Sequence, residues 1–343
     1  MKVGIAGLEY AGKKSLFSLL TGIKDETSSK RIGVINVPDQ RVDALSDFYK
    51  SKKKVYSQIE FNLLPSIKKE SDETKKALMD AKFMDMFAVV IRQFADENVF
   101  HPSGSTDVKR DYDAVKNELL FADLYLVETR LDRIDKELRS EKRDILLKEK
   151  EVLEVFRSKL ENGAFLNSVQ IDDDKLKLVK SLNFLTMKPV FVVVNCDDSS
   201  VKGEFEFPDG VKSIAVSVKI ESEIQQLDEN SKKEFLSSLN LKEPSLNRMI
   251  RFAYSYGDLI TFFTAGEKDS HAWTIKNGTP ALRAAGAIHT DIEKGFIRAE
   301  IVHYDDLIKA GSEAEAKRQG LYRLEGKEYI IRDGDIAVFR FNI

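Results

Sequence analysis

The first apolar run of the chain is short and ends in glycine. Residues 2–6 are mostly apolar and lead into Gly7, and residues 13–21 then carry leucine and phenylalanine at helical spacing before Gly22. Glycine commonly ends both strands and helices, because its backbone adopts turn conformations at low cost. The pattern therefore predicts a strand, a loop and a helix at the start of the chain.

Two later runs, residues 87–91 and 189–194, are apolar without alternation. Strands with both faces buried have this composition, which is typical of a parallel sheet covered by helices. We therefore predict an α/β domain formed by residues 1–118 and 183–250.

Residues 119–182 have a different pattern, in which apolar residues recur every seven positions among charged ones. The repeating positions are Leu124, Leu131, Leu138, Ile145 and Val152, with Val127, Ile134 and Val155 on the adjoining seam. This predicts a long amphipathic helix forming a coiled-coil arm, with residues 176–185 as a return arm. The alternative is a long surface helix that lies on its own domain.

The pattern changes again for residues 257–343. Strand-like segments, at residues 259–263, 271–275, 296–304 and 328–331, surround a helix-like segment at residues 280–288. Asn-Gly and Asp-Gly pairs supply turns between them. We predict a small α+β module.

Composition limits the class of protein. The chain has 343 residues, of which 42% are hydrophobic and 32% charged, which predicts two or three folded domains. The net charge of −3 gives no independent indication of nucleic-acid binding. No apolar run approaches the ~20 residues that span a bilayer, and the N-terminus does not resemble a signal peptide. We expect a cytoplasmic protein with no membrane partner.

Metal chemistry is also limited by the sequence. The single cysteine cannot form an intramolecular disulfide, and the four histidines lack the spacing of a zinc site. Any bound metal would be magnesium held by oxygen ligands.

Residues 7–13 fit the first seven positions of a phosphate-binding loop. In such a loop the glycines let backbone amides surround phosphates, and the lysine, here Lys13, contacts the outer phosphates at a helix N-terminus. The predicted strand before the loop and helix after it supply the required context. The alternative is a plain glycine-rich turn in which Lys13 is a solvated lysine.

The position after Lys13 departs from the motif. A serine or threonine there would ligate magnesium, but this chain has Lys14, with Ser15 one place later. An ammonium group cannot ligate a cation, and Glu9 places a carboxylate near the phosphates. We therefore expect weakened triphosphate binding and doubtful magnesium binding.

Motifs along nearly the whole chain resemble those of the YchF (Obg-like ATPase) family. Besides the phosphate loop, they lie at residues 33–41, 92–94, 118–124, 185–189, 195–198 and 217–223. A longer string at residues 263–300, with residues 304–306 and 323–327, resembles the family's TGS domain. The resemblance implies a G-type P-loop domain, an inserted helical arm and a ubiquitin-like β-grasp domain, with the ribosome or translation machinery as partner.

The departures from the family cluster around the phosphates. The family's DxxG motif falls on residues 63–66, where Leu63 and Ser66 replace the aspartate and the glycine. Thr27 falls at the family's magnesium-contacting threonine. The alternative, with at least equal weight, is that Thr27 is a solvated threonine with no metal contact. His101 has the spacing of a loop histidine thought to act in the family's hydrolysis, which makes it the candidate catalytic residue.

Base recognition is predicted at the end of the strand over residues 189–194. Residues 195–198 resemble the family's NxxE motif, with Asp198 in place of its glutamate and Cys196 in place of the lysine of guanine-specific NKxD. This favours ATP but leaves GTP open, and the alternative is an Asx turn at Asn195. The predicted nucleotide-binding residues are Gly7, Glu9, Tyr10, Ala11, Gly12, Lys13, Lys14, Ser15, Asn195, Asp198, Ser217, Val218 and Lys219.

Three functions fit these observations. The first is a purine-nucleotide-binding switch on the ribosome with weak or absent hydrolysis. The second is an active ATPase or GTPase in which Lys14 or a partner residue replaces the missing charge. The third is an interaction scaffold that no longer uses its loop.

Overall fold

The computed structural model of the chain describes residues 1–23, 31–68, 71–140 and 143–342. The chain forms two compact units. The first comprises Met1–Val34 and Glu60–Met249, and the second comprises Ile35–Ile59 and Ile250–Ile343.

The strands of the described residues follow in chain order. They are β1 (Lys2–Gly7), β2 (Ile32–Asn36), β3 (Lys54–Val55), β4 (Gln58–Leu63), β5 (Met86–Arg92), β6 (Val190–Asn195), β7 (Ser213–Val216), β8 (Leu259–Ala265), β9 (Ser270–Lys276), β10 (Phe296–His303), β11 (Arg323–Glu325) and β12 (Asp335–Phe341).

The helices are named in the same way. They are α1 (Lys13–Thr21), α2 (Gln40–Tyr49), α3 (Asp72–Ala81), α4 (Val108–Ser140), α5 (Asp144–Glu161), α6 (Asp173–Val179), α7 (Val218–Ile224), α8 (Glu229–Ser238), α9 (Ser245–Tyr256), α10 (Ala281–Ile288), α11 (Thr290–Lys294), α12 (Tyr304–Ala310) and α13 (Glu313–Arg318).

A six-stranded sheet with the order β2-β4-β1-β5-β6-β7 organises the first unit. The pairs β4/β1, β1/β5, β5/β6 and β6/β7 are parallel. Strands β5 and β6 are buried at every position, which confirms the parallel, helix-covered sheet predicted from their unbroken apolar runs. Because parallel strands end at one edge, Gly7, Arg92 and Asn195 meet along the same side of the sheet.

The helical arm differs from its prediction. The predicted single long helix is two helices, since α4 ends at Ser140 and α5 packs against it. The return arm is therefore α5, and residues 176–185 lie in α6, which packs against α5, and in the segment after it. On α4 the predicted seam residues Val127, Leu131 and Ile134 are buried, and Leu124 and Leu138 are half-buried. On α5 Val152 is buried, but Ile145 and Val155 are exposed. The heptad pattern identified the helices but not the turn between them.

Asp123 anchors the base of the arm. Its carboxylate accepts the backbone N–H of Leu185 at 2.9 Å, and the backbone N–H and hydroxyl of Thr186, both at 2.7 Å. Burial raises the pKa of the Asp123 carboxyl, while these hydrogen bonds act in the opposite direction. Two of the motifs, at residues 118–124 and 185–189, therefore meet in one buried contact. Within the described residues, no helix is both long and apolar enough to cross a membrane.

The second unit contains a mixed sheet with the order β11-β10-β12-β8-β9-β3. Its central strands β12 and β8 are parallel, whereas β8/β9, β10/β12 and β10/β11 are antiparallel. Helix α10 covers a core that includes Phe262, Phe296 and Phe339. This is the predicted β-grasp arrangement. The strand predicted at residues 328–331 is wrong, since that segment makes only an isolated bridge at Ile330.

Residues of the N-terminal half contribute to the second unit. Strand β3 pairs with β9, and Arg41 of α2 forms an ion pair with Asp333 at 2.7 Å. The segment Ile35–Ile59 therefore belongs to the same unit as Ile250–Ile343. The predicted boundaries, residues 1–118 with 183–250, 119–182 and 257–343, stay a prediction.

Candidate functional site

Glycines hold both ends of the loop between β1 and α1. Gly7 has a φ of +145°, and a Cβ there would lie 2.4 Å from the carbonyl oxygen of Val90. Gly12 has a φ of +90°, and a Cβ there would lie 2.2 Å from Nδ2 of Asn195. Any other residue would meet both a steric clash and an unfavourable backbone conformation. The glycines let the loop pass close to β5 and β6 before reaching the N-terminus of α1, where backbone amides lack helical partners.

The buried side chain of Lys13 folds back over this loop. Its Nζ donates to the carbonyl oxygens of Gly7 at 2.8 Å and Leu8 at 2.7 Å, and to the hydroxyl of Ser66 at 3.0 Å. Burial lowers the pKa of Lys13 to about 8, opposed by Glu9 and reinforced by Lys14. Phosphate oxygens beside the loop would favour the charged form of this amine.

The remaining loop residues have different environments. Tyr10 is exposed and has a φ of 59°, whereas Ala11 is buried. Glu9 forms an ion pair with Lys68 at 3.2 Å. Ser15 is exposed in the first turn of α1.

Asn195 joins the phosphate loop to the turn before α7. Its Nδ2 donates to the carbonyl oxygen of Ala11 at 3.1 Å, and its Oδ1 accepts the backbone N–H of Val218 at 3.3 Å. Both ends of the amide are therefore engaged with the protein. The residue positions two loops of the site relative to each other, so its role here is more than the Asx turn considered as an alternative.

Asp198 lies on the same side of the site. Its carboxylate accepts the hydroxyl proton of Ser217 at 3.0 Å and lies 3.7 Å from Nζ of Lys219. Ser217 also caps α7 by accepting the backbone N–H of Ile220 at 3.2 Å. Asp198 retains an exposed fraction of 45%, so its carboxylate remains available to donors on a bound base.

These residues surround a cleft of about 1460 Å³. It is lined by residues of the phosphate loop and α1, by residues 94–96, by residues 195–199, and by the first turns of α7. Gly12, Lys14, Ser15, Asn195, Asp198, Val218 and Lys219 of the predicted set all line it. The structure therefore brings the predicted phosphate and base segments together around one cavity.

Phe94 also lines this cleft. It belongs to the family motif at residues 92–94, for which no function was predicted. The guanidinium of Arg92 lies 4.5 Å from its ring centre. Phe94 follows β5, the neighbour of β6 in the sheet, and Gln93 donates its backbone N–H to the carbonyl oxygen of Asn195 at 2.8 Å. The sequence carried one signal for Phe94 as a site residue. It is an aromatic residue that follows the buried strand β5, the neighbour of β6. A flat ring at this place offers a stacking surface for a base.

A second, smaller cleft of about 200 Å³ is also lined by Lys14. Its lining residues are Glu9, Lys13, Lys14, Arg31, Leu63, Leu64, Pro65, Ser66 and Lys68. The two positions that would ligate magnesium in an intact motif, Lys14 and Leu63, thus face one cavity.

The donor set of this cleft does not fit magnesium. The ion takes oxygen ligands in octahedral geometry, but Lys14 is cationic and Leu63 is apolar. Glu9 is paired with Lys68, and the Ser66 hydroxyl accepts from Lys13. Within the described residues, no group of three or more His, Cys, Asp or Glu side chains is placed to hold a metal.

The candidate metal-binding and catalytic residues are Thr27 and His101. Thr27 lies outside the described residues. His101 is buried, accepts the backbone N–H of Ser103 on Nδ1 at 3.1 Å, and pairs with Asp111 through Nε2 at 2.9 Å. Because Nδ1 accepts, Nε2 carries the proton in the neutral ring and donates it to the carboxylate. His101 lines neither cleft, and its catalytic role stays a prediction.

The chain is similar to proteins of a known family. The family model YchF-GTPase_C, described as "Protein of unknown function (DUF933)", matches residues 259–342. The ribosome-binding ATPase YchF of Pasteurella multocida is 37% identical over 100% of this chain and 99% of its own length. The protein of the same name from Bacillus subtilis is 36% identical over 100% of both chains.

Two solved structures are similar to this chain along nearly its whole length. The YchF GTPase of Schizosaccharomyces pombe has a TM-score of 0.85 and 26% identity, covering 99% of this chain and 97% of the other. A GTP-binding protein of Pyrococcus horikoshii has a TM-score of 0.62 over 100% of both chains. Its identity is 16%, so this second likeness concerns the fold alone.

Proposed function

The chain belongs to the YchF family, and on that premise we propose that it binds a purine nucleotide, ATP or GTP, hydrolyses it weakly or not at all, and acts as a ribosome-associated switch. The observation that carries the proposal is the convergence of the phosphate loop and residues 195–199 on one cleft. Nucleotides in open α/β sheets bind at the carboxyl ends of the strands, where this cleft lies.

The phosphates are assigned to the loop and the base to the opposite end of the cleft. Gly12 and Lys13 present the N-terminus of α1, whose amides and dipole favour anions. Asp198 accepts from the base edge, and Phe94 supplies an aromatic surface beside it. Asn195 acts by holding the loop rather than by contacting the base, because both ends of its amide are already engaged.

Weak hydrolysis follows from the smaller cleft. Phosphoryl transfer depends on positioning and on charge that neutralises the phosphate oxygens, usually with magnesium. Lys14 and Leu63 stand where two of its ligands would be. Losing this stabilisation costs several kcal/mol at the transition state, which lowers the rate roughly a thousandfold.

The ribosome is proposed as partner because relatives along the whole length of the chain are named ribosome-binding ATPases. We assign residues 257–343 to a TGS domain and residues 119–182 to an arm, and both would contact the partner. Cosedimentation of the full chain with ribosomes through a sucrose cushion tests this, with and without ATP or GTP. Absence of the chain from the pellet under all three conditions rejects the partner.

Calorimetric titration tests nucleotide binding. The full chain is titrated with ATP, GTP, ADP and GDP, alongside Asp198→Ala and the matched surface variant Asp174→Ala. We expect purine nucleotides to bind the wild type and the surface variant, and Asp198→Ala to lose affinity. Phosphate release by the wild type should stay near background. Absence of binding by all four nucleotides would leave only the scaffold function.

A further inference from the structure

The smaller cleft is rich in cations where a metal-binding site would be rich in oxygen ligands. Lys13, Lys14, Arg31 and Lys68 line it, and Glu9 is the only carboxylate among the described lining residues. Cations brought this close repel each other unless an anion lies among them. The cleft therefore fits an anion better than it fits magnesium.

The backbone places these cations beside the phosphate loop. Leu63 donates its N–H to the carbonyl oxygen of Arg31 at 2.8 Å. Ile67 donates its N–H to the carbonyl oxygen of Gly7 at 3.1 Å, and it forms a parallel bridge with Leu8. These contacts hold Arg31 and Lys68 near the loop through the main chain, independently of any ligand.

Lys14 joins this cleft to the larger one. It lines both cavities and lies in the first turn of α1, directly after Lys13. Its positive charge is felt inside the loop, since it contributes to the lowered pKa of Lys13, for which burial is the main cause. An anion that spans Lys13 and Lys14 would relieve this repulsion.

In the free protein, the carboxylate of Glu9 supplies a negative charge to the smaller cleft. Its carboxylate pairs with Lys68 at 3.2 Å at the edge of the loop. A terminal phosphate in the cleft would compete with this carboxylate for Lys68 and would be repelled by it. Removal of the Glu9 charge should therefore favour phosphate.

From these contacts we propose that the smaller cleft binds the terminal phosphates of the nucleotide as the metal-free anion, with Lys14, Arg31 and Lys68 supplying the positive charge that magnesium supplies elsewhere. This inference rests on the proposed nucleotide function and specifies its charge chemistry. Magnesium is then expected to weaken nucleotide binding rather than to strengthen it. Magnesium bound to ATP brings two positive charges toward a cationic cavity, so the ion opposes binding here.

The experiment compares the affinity of the full chain for ATP in EDTA and in excess magnesium at constant ionic strength, by calorimetry. We expect metal-free ATP to bind about tenfold more tightly than magnesium-bound ATP. Inorganic tripolyphosphate, which lacks a base, should show the same preference for EDTA.

Three variants assign the effect to the cleft. Lys14→Gln should weaken metal-free binding about fivefold, and Glu9→Gln should strengthen it by a similar factor. Lys175→Gln, an exposed lysine on α6, is the matched control and should bind as the wild type does. Opposite changes from two neighbouring substitutions separate a charge effect from loss of folding, which would weaken binding in both.

The outcomes separate this inference from the function on which it rests. ATP that binds in magnesium but at least tenfold more weakly in EDTA would overturn the cationic cleft while leaving nucleotide binding intact. Equal affinities for wild type, Lys14→Gln and Glu9→Gln would also overturn it. Absence of ATP binding under both conditions would reject the nucleotide function, and the inference with it.

Discussion

Lys13 donates a hydrogen bond to the hydroxyl of Ser66 at 3.0 Å, although 53 positions of the chain separate them. Ser66 takes the place predicted for the glycine of the family motif, and its hydroxyl is a third acceptor beside the two loop carbonyls that hold this amine. In the free protein the lysine of the loop is thus fully engaged. A phosphate bound at the proposed site would have to replace these contacts with its own oxygens.

Lys13 should contribute more to nucleotide affinity than Lys14. Lys13→Met removes a buried charge at the loop itself, and we expect affinity for ATP to fall about fiftyfold. Lys14→Met removes an exposed charge, which solvent screens, and should cost less. Titration of both variants in EDTA measures the difference. Equal affinities for wild type and Lys13→Met would remove the loop as the phosphate site.

Nucleotide affinity should fall as the pH rises above 8. Burial lowers the pKa of Lys13 to about 8, so the Lys13 amine of the free protein loses its proton as the pH rises above 8. In the phosphate-bound protein the neighbouring phosphate charge keeps this amine protonated. Binding above pH 8 then takes up a proton, and affinity should drop about tenfold or more from pH 7 to pH 9.5. Titrations in buffers of different ionisation enthalpy measure the uptake. Lys13→Arg, which stays charged, provides the control with a flat profile over this window.

Asp123→Asn should destabilise the first unit by about 1–3 kcal/mol. The substitution turns an acceptor of three hydrogen bonds into a group whose NH₂ faces donors of Leu185 or Thr186. Urea unfolding followed by circular dichroism measures the loss. Asp132→Asn, an exposed position on the same helix, is the matched control and should change stability little. A loss of equal size in both variants would contradict the anchoring role of Asp123.

Restoring two oxygen ligands should restore part of the chemistry. Lys14→Ser with Leu63→Asp replaces a cation and an apolar side chain in the smaller cleft by potential magnesium ligands. We expect magnesium-dependent phosphate release above that of the wild type and of either single variant, since two ligands of one ion act together. Robust release by the wild type, abolished by Lys13→Met and unaffected by these changes, would show that the chain is an active enzyme with another charge arrangement.

Residues with local signals were predictable from the sequence. Gly7, Gly12 and Lys13 follow an apolar run at a set spacing, and in the structure Gly7 ends β1, Gly12 caps α1 and Lys13 begins that helix. Strands β5 and β6 were recognised because a short, continuous apolar run is typical of a strand buried on both faces. Strand β12 was missed, because its exposed Val338 and Phe341 are apolar and so blur the apolar–polar alternation that marks a half-buried strand.

The division of the arm between α4 and α5 was also missed. In the sequence, the seven-residue spacing runs from Leu138 to Ile145 without a break, so the period alone does not locate the turn. Ile145 occupies a predicted seam position and is exposed in α5. Packing against α4 decides which face of α5 is buried, and that information is not local.

Local chemistry in the chain predicted the parallel sheet and the glycine-flanked loop between β1 and α1, because backbone freedom, periodicity and side-chain type are properties of adjacent residues. Tertiary structure decided how the distant residues combine. It placed Lys14, Arg31 and Lys68 around one small cleft, engaged both ends of the Asn195 amide and buried His101 against Asp111. Charge and hydrogen bonding act over a few ångströms of space, and the distance between two residues in space does not follow from their distance along the chain.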